Sequence, residues 1–117
     1  MRAVPFRLPS APAQTDLVAK YFRGLGDPTR LRILELLREE EELTVGELVE
    51  RLAQPQPKVS SHLACLRWCG FVDSRRDGRL VSYWIADHRV GELIELGQAL
   101  LADNAEHVAA CCEIEAR

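Results

Sequence analysis

No apolar run in the sequence approaches the roughly 18–20 residues that a membrane-spanning helix requires. Internal repeats are absent. So are a Cys-x-x-Cys motif and an alternation of strands with helices, features that would frame a thiol oxidoreductase. The N-terminal stretch lacks the charged-then-apolar pattern of a secretion signal. It scatters Pro5, Pro9 and Pro12 among small residues, so residues 1–14 read as a flexible arm on a cytosolic protein. Basic residues nearly vanish at the other end: beyond residue 90, Arg117 alone stands against six carboxylates.

What is present describes one domain. A chain of 117 residues supports a single core, and 47% apolar with 28% charged residues is ordinary globular composition. The net charge of −3 argues mildly against a polyanionic partner, but its distribution points the other way. Residues 55–90 carry Lys58, Arg67, Arg75, Arg76, Arg79 and Arg89 against Asp73, Asp77 and Asp87, a local balance of +3. The first 54 residues balance at −1 and the last 27 at −5. A basic middle between acidic ends is the footprint of a localised nucleic-acid-binding face.

Hydrophobic periodicity places the elements. Leu17, Val18, Tyr21, Phe22 and Leu25 recur at helical spacing between Asp16 and Leu25. Asp27-Pro28 supplies the N-cap and first position of a second helix, with Leu31, Ile33, Leu34, Leu36 and Leu37 as its apolar stripe. Glu39 to Glu42 read as a solvated loop. Thr44, with Glu47 three residues on, forms a capping box for a third helix that buries Val45, Leu48, Val49 and Leu52. The proline-rich stretch 53–57 reads as a tight turn. Val59, Leu63, Leu66 and Gly70 then mark the inward face of a fourth helix, completing a helix-turn-helix.

The period next switches to two. Phe71 to Arg76 and Arg79 to Ile85 flank Asp77-Gly78, a strong hairpin signal. A helix-turn-helix followed by a hairpin is a winged helix, a mainly α fold with a β-hairpin (α+β). After Asp87 a last helix carries Val90, Leu93, Ile94, Leu96, Leu100 and Leu101, more apolar surface than a small core absorbs. This helix and the first are expected to form a homodimer interface. The domain is placed at residues 15–103, followed by a tail, 104–117, that carries Cys111 and Cys112.

In a helix-turn-helix the second helix enters the major groove with its N-terminal residues near base edges. Here those are Gln56, Lys58, Ser60, Ser61 and His62. Gln pairs bidentately with adenine, Lys reaches guanine or phosphate, and Ser serves either purpose. Arg75, Arg76 and Arg79 surround the hairpin tip, where a wing meets the phosphate backbone. Operator double-stranded DNA is the expected partner, with no membrane and no small-molecule substrate.

Several segments then occur in order: Leu25-Gly26-Asp27-Pro28-Thr29-Arg30-Leu31-Arg32-Ile33-Leu34, Gln56-Pro57-Lys58-Val59-Ser60-Ser61-His62-Leu63, Gly70-Phe71-Val72 and Asp77-Gly78-Arg79. Over roughly residues 15–102 the chain resembles the ArsR/SmtB family. That resemblance implies a homodimeric winged-helix repressor that leaves its operator when a metal or metalloid binds. One effector site of the family needs cysteines where Thr44, Val45 and Gly46 stand. Another, for zinc, begins at a position matched by Asp87 but needs histidines where Arg89 and Leu100 stand. The segment from His62 to Gly70 resembles the CmtR-like, cadmium/lead-sensing branch. There, two recognition-helix cysteines join a C-terminal cysteine of the partner subunit, which implies Cys65, Cys69 and one or both of Cys111 and Cys112 as ligands.

The cysteines support a soft ion on their own chemistry. Four cysteines in a cytosolic chain point to metal binding or redox activity. Cys65 and Cys69, at i and i+4, share one helical face. Thiolates select soft ions, and the resemblance implies Cd²⁺ or Pb²⁺ as the effector, with Hg²⁺, As(III) and Zn²⁺ as alternatives. Three sulfurs suit Pb²⁺, Hg²⁺ or As(III), whereas Cd²⁺ wants a fourth donor from the second tail cysteine or Glu113. His62 and His107 are further candidate donors, read first as facing DNA or solvent, and Trp68 is read as packing. Two other readings stand beside this one: the same repressor switched by cysteine oxidation, and a thiol oxidoreductase.

Overall fold

The computed structural model describes the backbone of residues 11–116 and the side chains of residues 13–110. Its elements run α1 (Ala11–Leu25), α2 (Pro28–Glu40), β1 (Leu43–Thr44), α3 (Val45–Leu52), α4 (Gln56–Trp68), β2 (Val72–Asp77), β3 (Leu80–Ile85) and α5 (His88–Ala116). This is the winged helix-turn-helix expected. The core gathers Ile33, Leu34, Leu36 and Leu37 of α2, Leu48 of α3, Val59, Leu63 and Leu66 of α4, and Phe71 behind them. Val90 and Ile94 join it from α5.

Capping chemistry sets the helix starts. Asp27 Oδ2 accepts the Arg30 amide at 3.0 Å, with Pro28 in the first turn. Thr44 and Glu47 form the reciprocal box: the Glu47 amide donates to Thr44 Oγ1 at 3.1 Å, and the Thr44 amide to Glu47 Oε1 at 2.8 Å. α4 ends in a Schellman motif, with Gly70 at φ +83°. The Gly70 amide donates to the Arg67 carbonyl at 3.0 Å and the Phe71 amide to that of Leu66 at 2.9 Å. That reversal buries Phe71 and fixes Cys69 at the helix end.

Four boundaries differ from expectation. α1 begins at Ala11, inside the stretch read as an arm, because proline at position 12 falls in a first turn, where no amide hydrogen is needed. α2 continues through Glu40 before Glu41 turns at φ 70°. Leu43 and Thr44 form a short strand opposite Tyr83 and Ser82, making a three-stranded antiparallel sheet in the order β1-β3-β2. Asp77 pairs with Leu80, so Gly78-Arg79 is the two-residue turn instead of Asp77-Gly78. Gly78 has φ +64° and Arg79 does not share the positive φ, the pattern of a II′ turn with glycine first.

Helical backbone also continues past residue 103, into the stretch expected to be a tail. The α5 backbone leaves helical geometry at Asn104 (φ −132°, ψ 23°) and resumes to Ala116. The Asn104 side-chain amide donates to the Leu100 carbonyl at 2.9 Å. The sequence from 105 to 116 is rich in Ala and Glu, good helix formers, so Cys111 and Cys112 stand on a helical segment and not beyond the last helix. No helix among the described residues is long and apolar enough to cross a membrane.

Candidate nucleic-acid interface and thiol pair

The wing, the start of α3 and the outer face of α4 enclose a groove of about 670 Å³. Gln56, Ser60, Arg76 and Arg79, four of the residues expected to meet DNA, line it. Lys58 and Ser61 are exposed on the same helix. Arg67 and Tyr83 line the groove as well, and sequence reasoning had not singled them out. A signal for Arg67 existed: it lies seven residues after Ser60, two helical turns along the same face.

Two of the residues assigned to DNA face elsewhere. Arg75 donates to Glu42 Oε2 at 2.7 Å, and its guanidinium carbon lies 5.5 Å from the Trp84 ring centroid. Neighbours on a strand point to opposite faces, so Arg75 and Arg76 cannot both turn toward the groove. His62 is turned inward, its side chain 15% exposed. Arg30 Nη1 lies 3.2 Å from His62 Nδ1, and Asp27 Oδ2 lies 3.8 Å from the same nitrogen. A guanidinium only donates, so in the contact with Arg30 the His62 Nδ1 stands as the acceptor. Burial raises the Asp27 carboxyl, but the Arg30 amide, the His62 ring when it is protonated and the Arg30 charge outweigh it and leave the carboxyl below its ordinary value.

The two described cysteines are free and half-buried at the C-terminal end of α4. Cys69 faces α1. Its sulfur lies 3.7 Å from where a Cβ on Gly24 would stand, and its carbonyl accepts the Tyr21 hydroxyl at 2.8 Å. Tyr21 in turn packs on Phe71, with ring centroids 4.7 Å apart. Burial pushes the Cys69 thiol up, reinforced by the charge and hydrogen bond of Cys65; Arg30 and Lys20 pull the other way. Trp68, between the cysteines, is 91% exposed and packs on nothing of consequence, contrary to its reading from sequence. No third His, Cys, Asp or Glu completes a ligand group among the described residues. The side chains of Cys111 and Cys112, and of Glu113, lie outside them.

At the start of α5, Asp87 is taken by Arg89. The guanidinium donates to Asp87 Oδ2 at 2.7 Å and the Arg89 amide to Oδ1 at 2.9 Å. These bonds hold the Asp87 carboxyl far below the usual carboxylate range. An arginine occupying that carboxylate is a poor start for a cation site.

The described part of α1 and α5 also presents Val18, Phe22, Leu96 and Leu100 to solvent. Between the two helices runs an apolar groove of about 430 Å³ that includes Phe22, Leu93 and Leu101.

Comparison with known proteins is consistent across three kinds of evidence. The family model described as "Bacterial regulatory protein, arsR family" matches residues 27–74. Over 99 residues the chain is 44% identical to the "Probable mercury resistance operon repressor" of Streptomyces lividans, covering 85% of this chain and 78% of that one. Over 90 residues it is 43% identical to the HTH-type transcriptional regulator CmtR of Mycobacterium bovis, covering 76% and 75%. A solved homodimeric winged helix-turn-helix DNA-binding domain from Mycobacterium bovis superposes with a TM-score of 0.73 at 29% identity, covering 89% of this chain and 95% of that one.

Proposed function

The chain belongs to the arsR family of bacterial regulatory proteins, and from that premise we propose a metal-responsive repressor that binds operator DNA as a homodimer in the cytoplasm. Its relatives are regulators and not enzymes, which removes the thiol-oxidoreductase reading. Gln56, Lys58, Ser60 and Ser61 read the major groove, while Arg67, Arg76 and Arg79 hold phosphates. α1 and α5 form the dimer face, a reading supported by their exposed apolar residues and by the homodimeric structural relative.

One observation carries the effector reading: two free, half-buried thiols one turn apart on the helix that also lines the DNA groove. As a donor set they suit a soft ion and lack the carboxylates a hard one needs. Cys65 and Cys69 hold the ion, and Cys111 or Cys112 completes the set. Cd²⁺ and Pb²⁺ fit this arrangement, and the mercury-resistance relative adds weight to Hg²⁺. Bound there, the ion cross-links sulfurs from α4 and the end of α5. Because Cys69 rests on α1, α4 has a ligand site on the side facing the dimer helices and a DNA surface on the other. Metal and operator are then coupled ligands, and linkage makes the coupling reciprocal.

Titration of the reduced protein with Cd²⁺, Pb²⁺, Hg²⁺, As(III) and Zn²⁺ tests this, read by thiolate-to-metal absorption and by DNA anisotropy. A soft ion should bind at about one per protomer and weaken DNA binding roughly 5–150-fold. Cys65→Ser, Cys69→Ser and the double Cys111→Ser/Cys112→Ser variant should lose both effects. Metal binding that leaves DNA affinity unchanged, or that survives without Cys65 and Cys69, sinks the reading and favours switching by cysteine oxidation.

A further inference from the structure

His62 on α4 and Cys69, the residue that caps its end, stand seven residues apart, two turns, and so leave the helix on one side. Both are fastened to the end of α1. At Cys69 the fastening is direct, through Tyr21 and the close approach to Gly24. At His62 it runs through Arg30. That guanidinium donates from Nε to the Gly24 carbonyl at 2.6 Å, from Nη2 to the Arg23 carbonyl at 3.4 Å, and from Nη1 to His62 Nδ1 at 3.2 Å. Gly24 is therefore shared: its Cα side meets the Cys69 sulfur, and its carbonyl is held by Arg30. Asp27 caps the amide of Arg30 itself, which fixes the backbone beneath the guanidinium.

Resting on the repressor reading above, we propose that Arg30 and His62 are positioning residues that carry occupancy of the Cys65–Cys69 thiols to the DNA-reading half of α4. Pulling Cys69 toward a ligand moves it against Gly24. The end of α1 and the guanidinium that grips it then move together. His62 receives that motion beside Ser60 and Ser61, on the exposed side of the helix. A planar fork with donors in several directions is needed to hold the α1 carbonyls and the imidazole at once; a lysine ammonium reaches one of them.

The experiment uses the full chain, a duplex taken from immediately upstream of its own coding sequence, and Cd²⁺ and Hg²⁺ each alone. The readout is the ratio of DNA Kd with and without metal, alongside metal affinity from thiolate-to-metal absorption and thermal unfolding. Wild type should give a ratio of roughly 5–150. His62→Leu removes the acceptor and Arg30→Lys removes the fork; each should bring the ratio within about twofold of unity while metal binding persists. His62→Asn, whose amide oxygen can take the place of Nδ1, should keep it. A wild-type ratio in both His62→Leu and Arg30→Lys overturns the proposal, as does a ratio lost only because metal binding is lost. An absent ratio in wild type brings down the repressor reading itself, a different result from variants that respond as wild type does.

Discussion

Arg75 on β2 and Glu42 ahead of β1 form an ion pair at 2.7 Å, which ties the wing to the loop behind it. The arginine next in sequence, Arg76, lines the groove and has no ion pair among the described residues, and the same holds for Arg79. The three wing arginines therefore differ in role. Arg76→Ala and Arg79→Ala should each weaken DNA binding and lower the salt slope of log Kd by about one. Arg75→Ala should leave that slope unchanged within error. Equal slope losses for all three would show that the Arg75–Glu42 pair opens on DNA.

Asp27 ties the start of α2 to the rest of the chain through a cap. Asp27→Ala should destabilise the fold by about 1 kcal/mol at neutral pH, the usual loss for an N-cap carboxylate. Its carboxyl lies below the ordinary value in the folded chain. Its contribution is thus present above the unfolded pKa of about 3.9 and is lost as pH falls through the folded value. Chemical denaturation of wild type and Asp27→Ala from pH 7 downward should show the two curves converging in acid. A gap that stays constant below pH 3 would mean the cap acts through the neutral carboxyl.

Local chemistry made much of this fold legible, and its limits lie where distant elements meet. The caps at Asp27 and Thr44 and the apolar stripe Val59–Leu63–Leu66 are set by neighbours within a turn, and the structure reproduces them. β1 is two residues long and exists only because β3 pairs with it, so no periodicity announces it. His62 lies one residue before the buried Leu63, on the flank of the helix. Whether that flank faces DNA or α2 depends on where α2 is placed, and Arg30 decides it. Arg75 was within reach, since alternation along a strand already separates it from Arg76. The thiol pair was readable from its spacing; its seat on Gly24 was not.

The Cys69 thiol is pushed up by burial and by Cys65. Metal binding requires the thiolate, so protons compete with the ion over a higher pH range than at an ordinary cysteine. Apparent metal affinity should rise with pH through and beyond the normal thiol range, and most steeply while both helix cysteines are present. Titrations across pH 6–9, with the variant's weak residual binding followed at high metal concentration, should show a shallower slope for Cys69→Ser than for wild type, by about one proton released per ion. Identical slopes would mean that Cys69 does not ligate.

Leu96 and Leu100 are 61% and 60% exposed, one turn apart on α5, and sit beside the groove that α5 forms with α1. Exposed leucines are common singly, but here they continue a stripe with Leu93 and Leu101, and Val18 and Phe22 stand exposed on α1. In a two-fold dimer each residue counts twice, so four leucines leave water. At roughly 1.5–3 kcal/mol for each full burial, and with about three fifths of each side chain still exposed, the four contribute about 4–7 kcal/mol to association. That is about four powers of ten in dimer Kd. Leu96→Glu/Leu100→Glu should therefore sediment as a monomer at micromolar concentration. The inward residues Val90 and Ile94 are untouched, so the monomer should keep its helical signal. DNA affinity should fall with the dimer, because two half-sites can no longer be held by one particle. A variant that stays dimeric would place the interface elsewhere on the surface, and one that turns monomeric yet binds DNA with unchanged affinity would show that a single winged helix suffices.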